Sequence, residues 1–197
     1  MIFSHWLVIL SIFVSLYGSF AYIKNTLAGK TKPNRVSYFM WASAPLIATG
    51  AALYSHADIW ATTRTFLAGF MPLIIFVCSF INKQSYWKIT KFDLMCGLCS
   101  LLALIAWFLA NSPVTAILLA ALGDGLAAIP TIIKGWKYPE TETGLSYLMG
   151  LIAVILVLPS ISVWNVQNCA FQIYLLVINT FLVFAIYRKK IFKLTLC

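Results

Sequence analysis

The chain has 197 residues, of which 62% are hydrophobic and only 10% are charged. Its mean hydropathy is +0.92. A soluble domain carries about 25% charged residues, so a core in water could not bury this much apolar surface, and the protein requires a lipid bilayer as its solvent. The net charge of +9 does not indicate nucleic-acid binding, because the basic residues lie in short segments between apolar runs. We expect a multi-pass protein of a cell membrane, with the bacterial inner membrane as the predicted location.

Seven apolar segments come close to the ~20 residues that a membrane-spanning helix needs. In chain order they are Trp6–Ile23, Val36–Tyr54, Trp60–Ile81, Phe92–Ala110, Val114–Ile133, Leu145–Val163 and Cys169–Tyr187. The first segment could be taken for a signal peptide, but no Lys or Arg precedes it, so we interpret it as a span. The connections are too short to hold a soluble domain. The sequence therefore predicts an all-α membrane protein with seven transmembrane helices.

Basic residues occur between alternate segments. Of the 14 Lys and Arg residues, all but Arg64 lie in the first, third and fifth loops or in the C-terminal tail. The positive-inside rule places such loops in the cytoplasm. The N-terminus is therefore predicted to lie outside and the C-terminus in the cytoplasm.

Two stretches of the chain have the same spacing. Ala21 precedes Ser37 by 16 positions, and Pro130 precedes Ser146 by 16 positions, so the stretches align without a gap at an offset of 109 residues. The aligned stretches share an Ile, a Ser-Tyr pair and a Met. We interpret this match as an internal duplication.

The offset maps helix 1 onto helix 5 and helix 2 onto helix 6, which leaves helix 3 for helix 7 and no partner for helix 4. Because an odd number of spans separates the copies, both run in the same direction. The predicted architecture is a 3+1+3 arrangement of two parallel three-helix repeats, residues 1–82 and 113–197, joined by a linker helix within 83–112. Transporters use such repeats and place the solute site between them.

The second copy carries a motif with a family resemblance. Pro130-Thr131-Ile132-Ile133-Lys134 followed by Gly144-Leu145-Ser146 resembles the Pro-Gln, Lys and Gly-Leu-Ser pattern of the SWEET and PQ-loop superfamily. Thr131 stands at the Gln position, and the first copy has Ala21-Tyr22 where Pro-Gln would stand. The resemblance implies a carrier of sugars, amino acids or other small solutes. It also allows a trafficking receptor, because a few members of the superfamily have that function.

Asp124 is the strongest candidate for a functional residue. It lies halfway along helix 5 between Gly123 and Gly125, and an ionisable group near the bilayer midplane is a functional hypothesis by default. The glycines would let a helix or a ligand approach closely. The carboxyl group could bind the solute or take up and release a proton. The structural alternative is an acid that is hydrogen-bonded to a neighbouring helix.

Six other residues complete the predicted site. Asn179 lies halfway along helix 7, where its amide can both donate and accept hydrogen bonds, and the resemblance implies a substrate-facing Asn on this helix. Ser15 is the repeat counterpart of the helix 5 acid. Tyr17 and Trp41 are aromatic candidates for the wall of the site, with packing as the alternative. Pro130 is a predicted hinge near the cytoplasmic gate, and Pro45 is a second predicted hinge.

These observations predict a transporter that moves a small polar solute by alternating access, with a site between helices 1, 2, 5 and 7 and proton coupling through Asp124. A non-transporting receptor or scaffold is the alternative. No enzyme activity is predicted, because Asp124 has no His or acidic partner. No cofactor, metal or nucleotide-binding loop is predicted, and Cys96-Gly97-Leu98-Cys99 lacks the context of a redox motif. The expected partners are the solute and the bilayer, and the sequence leaves open a homo-oligomer.

Overall fold

The computed structural model describes residues 2–54, 59–110, 112–161 and 163–194, and these residues form helices without any strand. They contain three short 3-10 helices, Lys83–Ser85, Pro139–Thr141 and Leu158–Ser160, and seven α-helices. The α-helices are α1 (Ile2–Leu27), α2 (Arg35–Tyr54), α3 (Ile59–Cys78), α4 (Lys91–Phe108), α5 (Pro113–Lys137), α6 (Gly144–Val157) and α7 (Val166–Leu194).

Several of the described helices are long and apolar enough for a membrane. Four segments of the described chain are long and apolar enough to cross a bilayer, namely Trp6–Leu27, Lys91–Phe108, Val114–Lys137 and Asn168–Ile191. Thr65–Cys78 and Gly144–Ser160 are shorter apolar helices. Large apolar side chains such as Phe13, Met95 and Phe181 are exposed on the outside. A surface of this kind is suited to lipid, since lipid tails solvate apolar side chains.

Side-chain caps fix where two of the helices begin. Asn34 precedes α2, and its Oδ1 accepts hydrogen bonds from the backbone N–H groups of Val36 at 3.1 Å and Ser37 at 3.3 Å. Thr90 and Asp93 form a capping box at the start of α4, in which each side chain accepts from the backbone N–H of the other residue. These bonds satisfy N–H groups that have no partner within the helix.

Prolines affect the helices in two ways. Pro45, Pro72 and Pro130 lie inside α2, α3 and α5. The sixth segment was predicted to run to Val163, but α6 ends at Val157 and Pro159 lies in the 3-10 turn that follows. Pro159 has no N–H to donate the next helical hydrogen bond, and the chain continues from Leu158 as a single 3-10 turn.

The two halves of the chain use the same helix pairings. In the first half α3 packs along α2 and also contacts α1, and in the second half α7 packs along α6 and also contacts α5. Between the halves α1 packs against α6, and α5 contacts α2. Helix α4 packs on α5 and α2. Each of these pairings, except those of α4, has a counterpart when the two halves are exchanged, as a pseudo-twofold axis requires.

Tyr38 and Tyr147 lie where such an axis would pass. They are separated by 109 positions in sequence, and their hydroxyl groups are hydrogen-bonded at 3.2 Å. Two corresponding residues can touch each other only close to the axis that relates them.

The first, third and fifth loops gather at one end of the bundle. Asn82 Nδ2 donates to the backbone oxygen of Leu27 at 2.9 Å, and the Lys32 N–H donates to the backbone oxygen of Thr141 at 2.9 Å. The guanidinium of Arg188 near the end of α7 reaches the backbone of the α5 terminus. We call residues 24–35, 79–91, 134–143 and 185–190 the basic end, because the basic loops of the sequence prediction meet there.

Gly18 allows α1 and α6 to cross closely. A Cβ at position 18 would lie 2.8 Å from Met149 Cβ and 3.2 Å from the backbone oxygen of Ser146. We expect Gly18→Leu to push the helices apart and to lower the free energy of unfolding by about 1–3 kcal/mol. The matched control is Gly50→Leu, because nothing lies within 4 Å of a Cβ at position 50. Thermal unfolding in detergent would test this, and equal melting temperatures for the two variants would contradict it.

Candidate functional site

A cavity of about 240 Å³ lies between α1, α3, α6 and α7. Ser11, Ser15 and Ser19 line it from α1, and their spacing of four residues places them on one face of the helix. Gly150 lines it from α6 and Asn179 from α7. In each of these helices the lining residues are near the middle, so the cavity lies at mid-depth in the bundle.

Several polar groups in this cavity have no protein partner. Ser11 Oγ donates to the backbone oxygen of Val8 at 2.6 Å, and Asn179 Nδ2 donates to the backbone oxygen of Leu175 at 2.8 Å. Within the described residues, no hydrogen bond is made by the hydroxyls of Ser15 and Ser19 or by the Oδ1 of Asn179. Two hydroxyls and one carbonyl oxygen are therefore available to a solute.

Asp124 lies in a different place. Tyr174 of α7 donates a hydrogen bond to Asp124 Oδ2 at 2.5 Å, and Trp41 Nε1 of α2 donates to the Asp124 backbone oxygen at 3.3 Å. The residue lines a small space of about 20 Å³ between α2, α4 and α5. The ring of Tyr174 fits against Gly125, where a Cβ would lie 3.3 Å from it. Asp124 thus joins α2, α5 and α7 and is separate from the larger cavity.

The other predicted residues are also divided. Ser15 and Asn179 share the larger cavity, whereas Tyr17 lies on the outer face of α1 with 62% of its surface exposed. Trp41 is partly buried and packs edge-on against Tyr38, with 5.2 Å between the ring centroids. The structure therefore brings helices 1 and 7 together around one cavity, with α3 and α6 in place of the expected helices 2 and 5.

The two predicted hinges lie in different surroundings. Pro130 is buried within α5, one turn before Lys134. Pro45 lies inside α2, and its backbone oxygen accepts a hydrogen bond from Thr49 Oγ1 at 2.7 Å.

A buried ion pair lies at the basic end. Lys134 Nζ and Glu142 Oε1 are 2.6 Å apart, and the side chains are 1% and 0% exposed, respectively. Lys134 also donates to the backbone oxygen of Lys32, and its Nζ lies 5.0 Å from the centre of the Trp87 ring. Burying two charges is costly unless further hydrogen bonds satisfy them.

Three buried tyrosines lie beside the ion pair, and two of them donate hydrogen bonds to its carboxylate. Tyr22 and Tyr147 donate to Glu142 Oε2 at 2.8 and 3.0 Å, and Tyr38 is hydrogen-bonded to Tyr147. The rings of Tyr22 and Tyr38 pack with centroids 5.2 Å apart. We call Tyr22, Tyr38, Lys134, Glu142 and Tyr147 the closing layer, because together they fill the basic end of the bundle.

Hydrogen bonds around the closing layer connect the two halves of the chain. Asn25 Nδ2 donates to Thr143 Oγ1 at 3.0 Å, and the hydroxyl oxygens of Thr31 and Thr143 are 2.5 Å apart. Thr131, at the expected Gln position, donates to Ser37 Oγ at 2.9 Å and is fully buried. Each of these bonds joins residues 1–82 to residues 113–197. Opening this end would therefore require the halves to separate.

The predicted site did not include Glu142, Gly150 or the three tyrosines of the closing layer. Tyr38 and Tyr147 belong to the two Ser-Tyr pairs that match at the offset of 109, which was an available signal that these positions correspond. Glu142 carried no such signal, since it follows α5 in a short polar loop. Among the described residues, no group of three His, Cys, Asp or Glu side chains is placed to hold a metal ion.

The chain was compared with known proteins at three levels. No protein-family model, no curated protein and no solved structure matches it.

Proposed function

We propose that the protein transports a small polar solute across a membrane by alternating access between its two three-helix halves. The observation that carries this proposal is the closing layer, a buried ion pair and three tyrosines that join the halves at one end of a bundle with a polar cavity at mid-depth. In alternating access a central site is closed at one end while it opens at the other. The arrangement corresponds to a bundle closed at its basic end.

We further propose that all seven α-helices cross the bilayer, with the N-terminus outside and the basic end in the cytoplasm of a bacterial cell. The gathering of the basic loops at one end supports this orientation. Membership of the SWEET and PQ-loop superfamily is part of the same proposal. It is supported by the 3+1+3 order of the helices and by the stretch from Pro130 to Ser146.

In this mechanism the solute enters from outside and binds beside Ser15, Ser19 and Asn179 while the closing layer is intact. Separation of Tyr22 from Glu142, and of Lys134 from the backbone oxygen of Lys32, then parts the two halves and opens the path to the cytoplasm. Pro45 and Pro130 suit the bending of α2 and α5, because a proline leaves the carbonyl four residues earlier without its helical donor. Each step uses contacts between the halves rather than a chemical reaction.

Uptake into proteoliposomes tests the proposal. Purified protein would be reconstituted and supplied with a library of labelled sugars, polyols, amino acids and vitamins. Saturable uptake above that of protein-free liposomes is expected for at least one solute. If folded protein moves none of them, transport is contradicted and the receptor or scaffold function gains support.

Asp124 provides a separate prediction about coupling. Its carboxylate accepts a hydrogen bond from Tyr174 of α7, and its backbone oxygen accepts one from Trp41 of α2. A change in the protonation of Asp124 would therefore alter the contacts that α5 makes with its neighbouring helices. We expect an imposed pH gradient to drive accumulation by the wild type, and Asp124→Asn to abolish accumulation while leaving downhill uptake. A variant that still accumulates solute on a pH gradient would reduce Asp124 to a structural role.

A further inference from the structure

Two places in the bundle that correspond at the offset of 109 differ in their side chains. Trp41 of α2 reaches across to α5, where its Nε1 donates to the backbone oxygen of Asp124 at 3.3 Å. The repeat counterparts of these residues, at an offset of 109, are Gly150 of α6 and Ser15 of α1. Both counterparts line the 240 Å³ cavity. The indole of Trp41 therefore fills the space between α2 and α5. At the corresponding position between α6 and α1, Gly150 has no side chain and the space is part of the cavity.

The third helix of each half shows the same difference. Leu175 and Asn179 line the cavity from α7, and their counterparts in α3 are Phe66 and Phe70. Those two phenylalanine rings stack on each other with centroids 4.9 Å apart. The duplication thus gives two equivalent sets of residues, and the set that contains Gly150 and Asn179 lines the cavity.

The 240 Å³ cavity has the side-chain chemistry of a site for uncharged solutes. Among the described residues that line it, none has an ionisable side chain. A buried charge without a counter-charge is strongly unfavourable, so an ion or zwitterion would find no compensation there. The Ser15 and Ser19 hydroxyls can donate or accept, and Asn179 Oδ1 can accept, so a solute with several O–H or N–H groups fits them.

We propose that the cavity binds an uncharged solute rich in hydroxyl or amide groups, and that Gly150 sets the upper limit of its size. This inference rests on the proposed transport function. A cavity of 240 Å³ corresponds to roughly eight water molecules at about 30 Å³ each. A four-carbon polyol is small enough to enter that space.

The test compares neutral and charged probes of similar size. Erythritol, xylitol and lactamide are the uncharged probes, and erythronate and threonine are the charged ones. Equilibrium binding of labelled probes to purified protein is measured separately from uptake into proteoliposomes. We expect saturable binding and uptake of uncharged probes and neither for erythronate or threonine.

Substitutions at Gly150 connect the result to the cavity. Gly150→Trp introduces into the cavity the side chain that Trp41 provides at the corresponding position of the first half. This variant is expected to reduce binding and uptake to background. Gly150→Ala is the milder variant, with a Cβ 2.8 Å from Asn179 Oδ1, and it is expected to exclude xylitol more than erythritol. Gly50→Trp is the matched control, since a Cβ there meets nothing within 4 Å, and it should behave as wild type.

The outcomes separate this inference from the proposed function. Saturable uptake of threonine or erythronate without uptake of the uncharged probes would overturn the inference and leave transport standing. Binding of uncharged probes that Gly150→Trp abolishes, without any flux, would support the inference and contradict transport. Failure of all uncharged probes to bind, or unchanged binding by folded Gly150→Trp, would overturn the inference.

Discussion

The paired substitutions Thr31→Cys and Thr143→Cys are expected to abolish transport when the new thiols are oxidised, and a reductant is expected to restore it. The threonine hydroxyl oxygens lie 2.5 Å apart, and sulfur atoms at these positions come close to the ~2.05 Å of a disulfide. Thr31 lies in the loop after α1, and Thr143 immediately precedes α6. The disulfide would hold the two halves together beside the closing layer, so the basic end could no longer open.

The measurement is solute uptake by the oxidised and reduced forms of the same protein in liposomes. The background must lack the native thiols, which are Cys78, Cys96, Cys99, Cys169 and Cys197. Each single variant, Thr31→Cys or Thr143→Cys, is the control and should not respond to oxidant. Full transport by a protein with the disulfide formed would show that the basic end stays closed throughout the cycle, and the proposed gate would be wrong.

Much of the helical fold could be predicted from the sequence. The second segment was predicted as Val36–Tyr54 and forms α2 at Arg35–Tyr54, and the fourth was predicted as Phe92–Ala110 and forms α4 at Lys91–Phe108. Runs of apolar residues bounded by polar loops are sufficient for this, because a bilayer admits few structures other than helices. The error at the end of α6 lies at Pro159, which continues an apolar run but has no N–H for the next helical hydrogen bond.

The candidate site was harder to predict, because its residues had to be assigned to helix faces. Helices that are apolar on all sides give little amphipathic signal to distinguish the inner from the outer face. Tyr17 and Ser15 lie only two positions apart, yet Tyr17 lies on the outer face and Ser15 lines the cavity. Depth was easier to predict, since Ser15 and Asn179 were both placed near the middle of their helices and do share a cavity.

Glu142 illustrates a different difficulty. A charged residue in a short polar loop is ordinarily solvated, and nothing next to it in sequence indicates burial. Its carboxylate is fully buried because tyrosines from three different helices converge on it or on each other. Such a cluster depends on tertiary packing that a pattern along the chain cannot encode.

The ion pair of the closing layer gives the largest expected change in stability. Removing one partner of a buried pair leaves the other charge uncompensated, which costs about 3–5 kcal/mol. We expect Lys134→Met and Glu142→Gln each to lower the free energy of unfolding by this amount. Glutamine is chosen because its side-chain oxygen can still accept hydrogen bonds from Tyr22 and Tyr147.

The double variant should be more stable than the two single effects predict together. With both charges removed no buried charge lacks a partner, and apolar or uncharged replacements of buried pairs are often tolerated. Unfolding of all four proteins in detergent mixtures of increasing SDS content would give the coupling free energy, which for contacting residues is about 0.5–3 kcal/mol.

Exposed charges of the same loop provide the control for this cycle. Lys137 and Glu140 lie three and two positions from Lys134 and Glu142, and both are exposed. Lys137→Met and Glu140→Gln are expected to change stability by no more than about 0.5 kcal/mol each. If the losses from Lys134→Met and Glu142→Gln simply added in the double variant, the two charges would not be coupled. The ion pair would then contribute no coupling to the closing layer, and the tyrosine contacts between the halves, Tyr38 with Tyr147 and Tyr22 with Glu142, would hold the basic end closed.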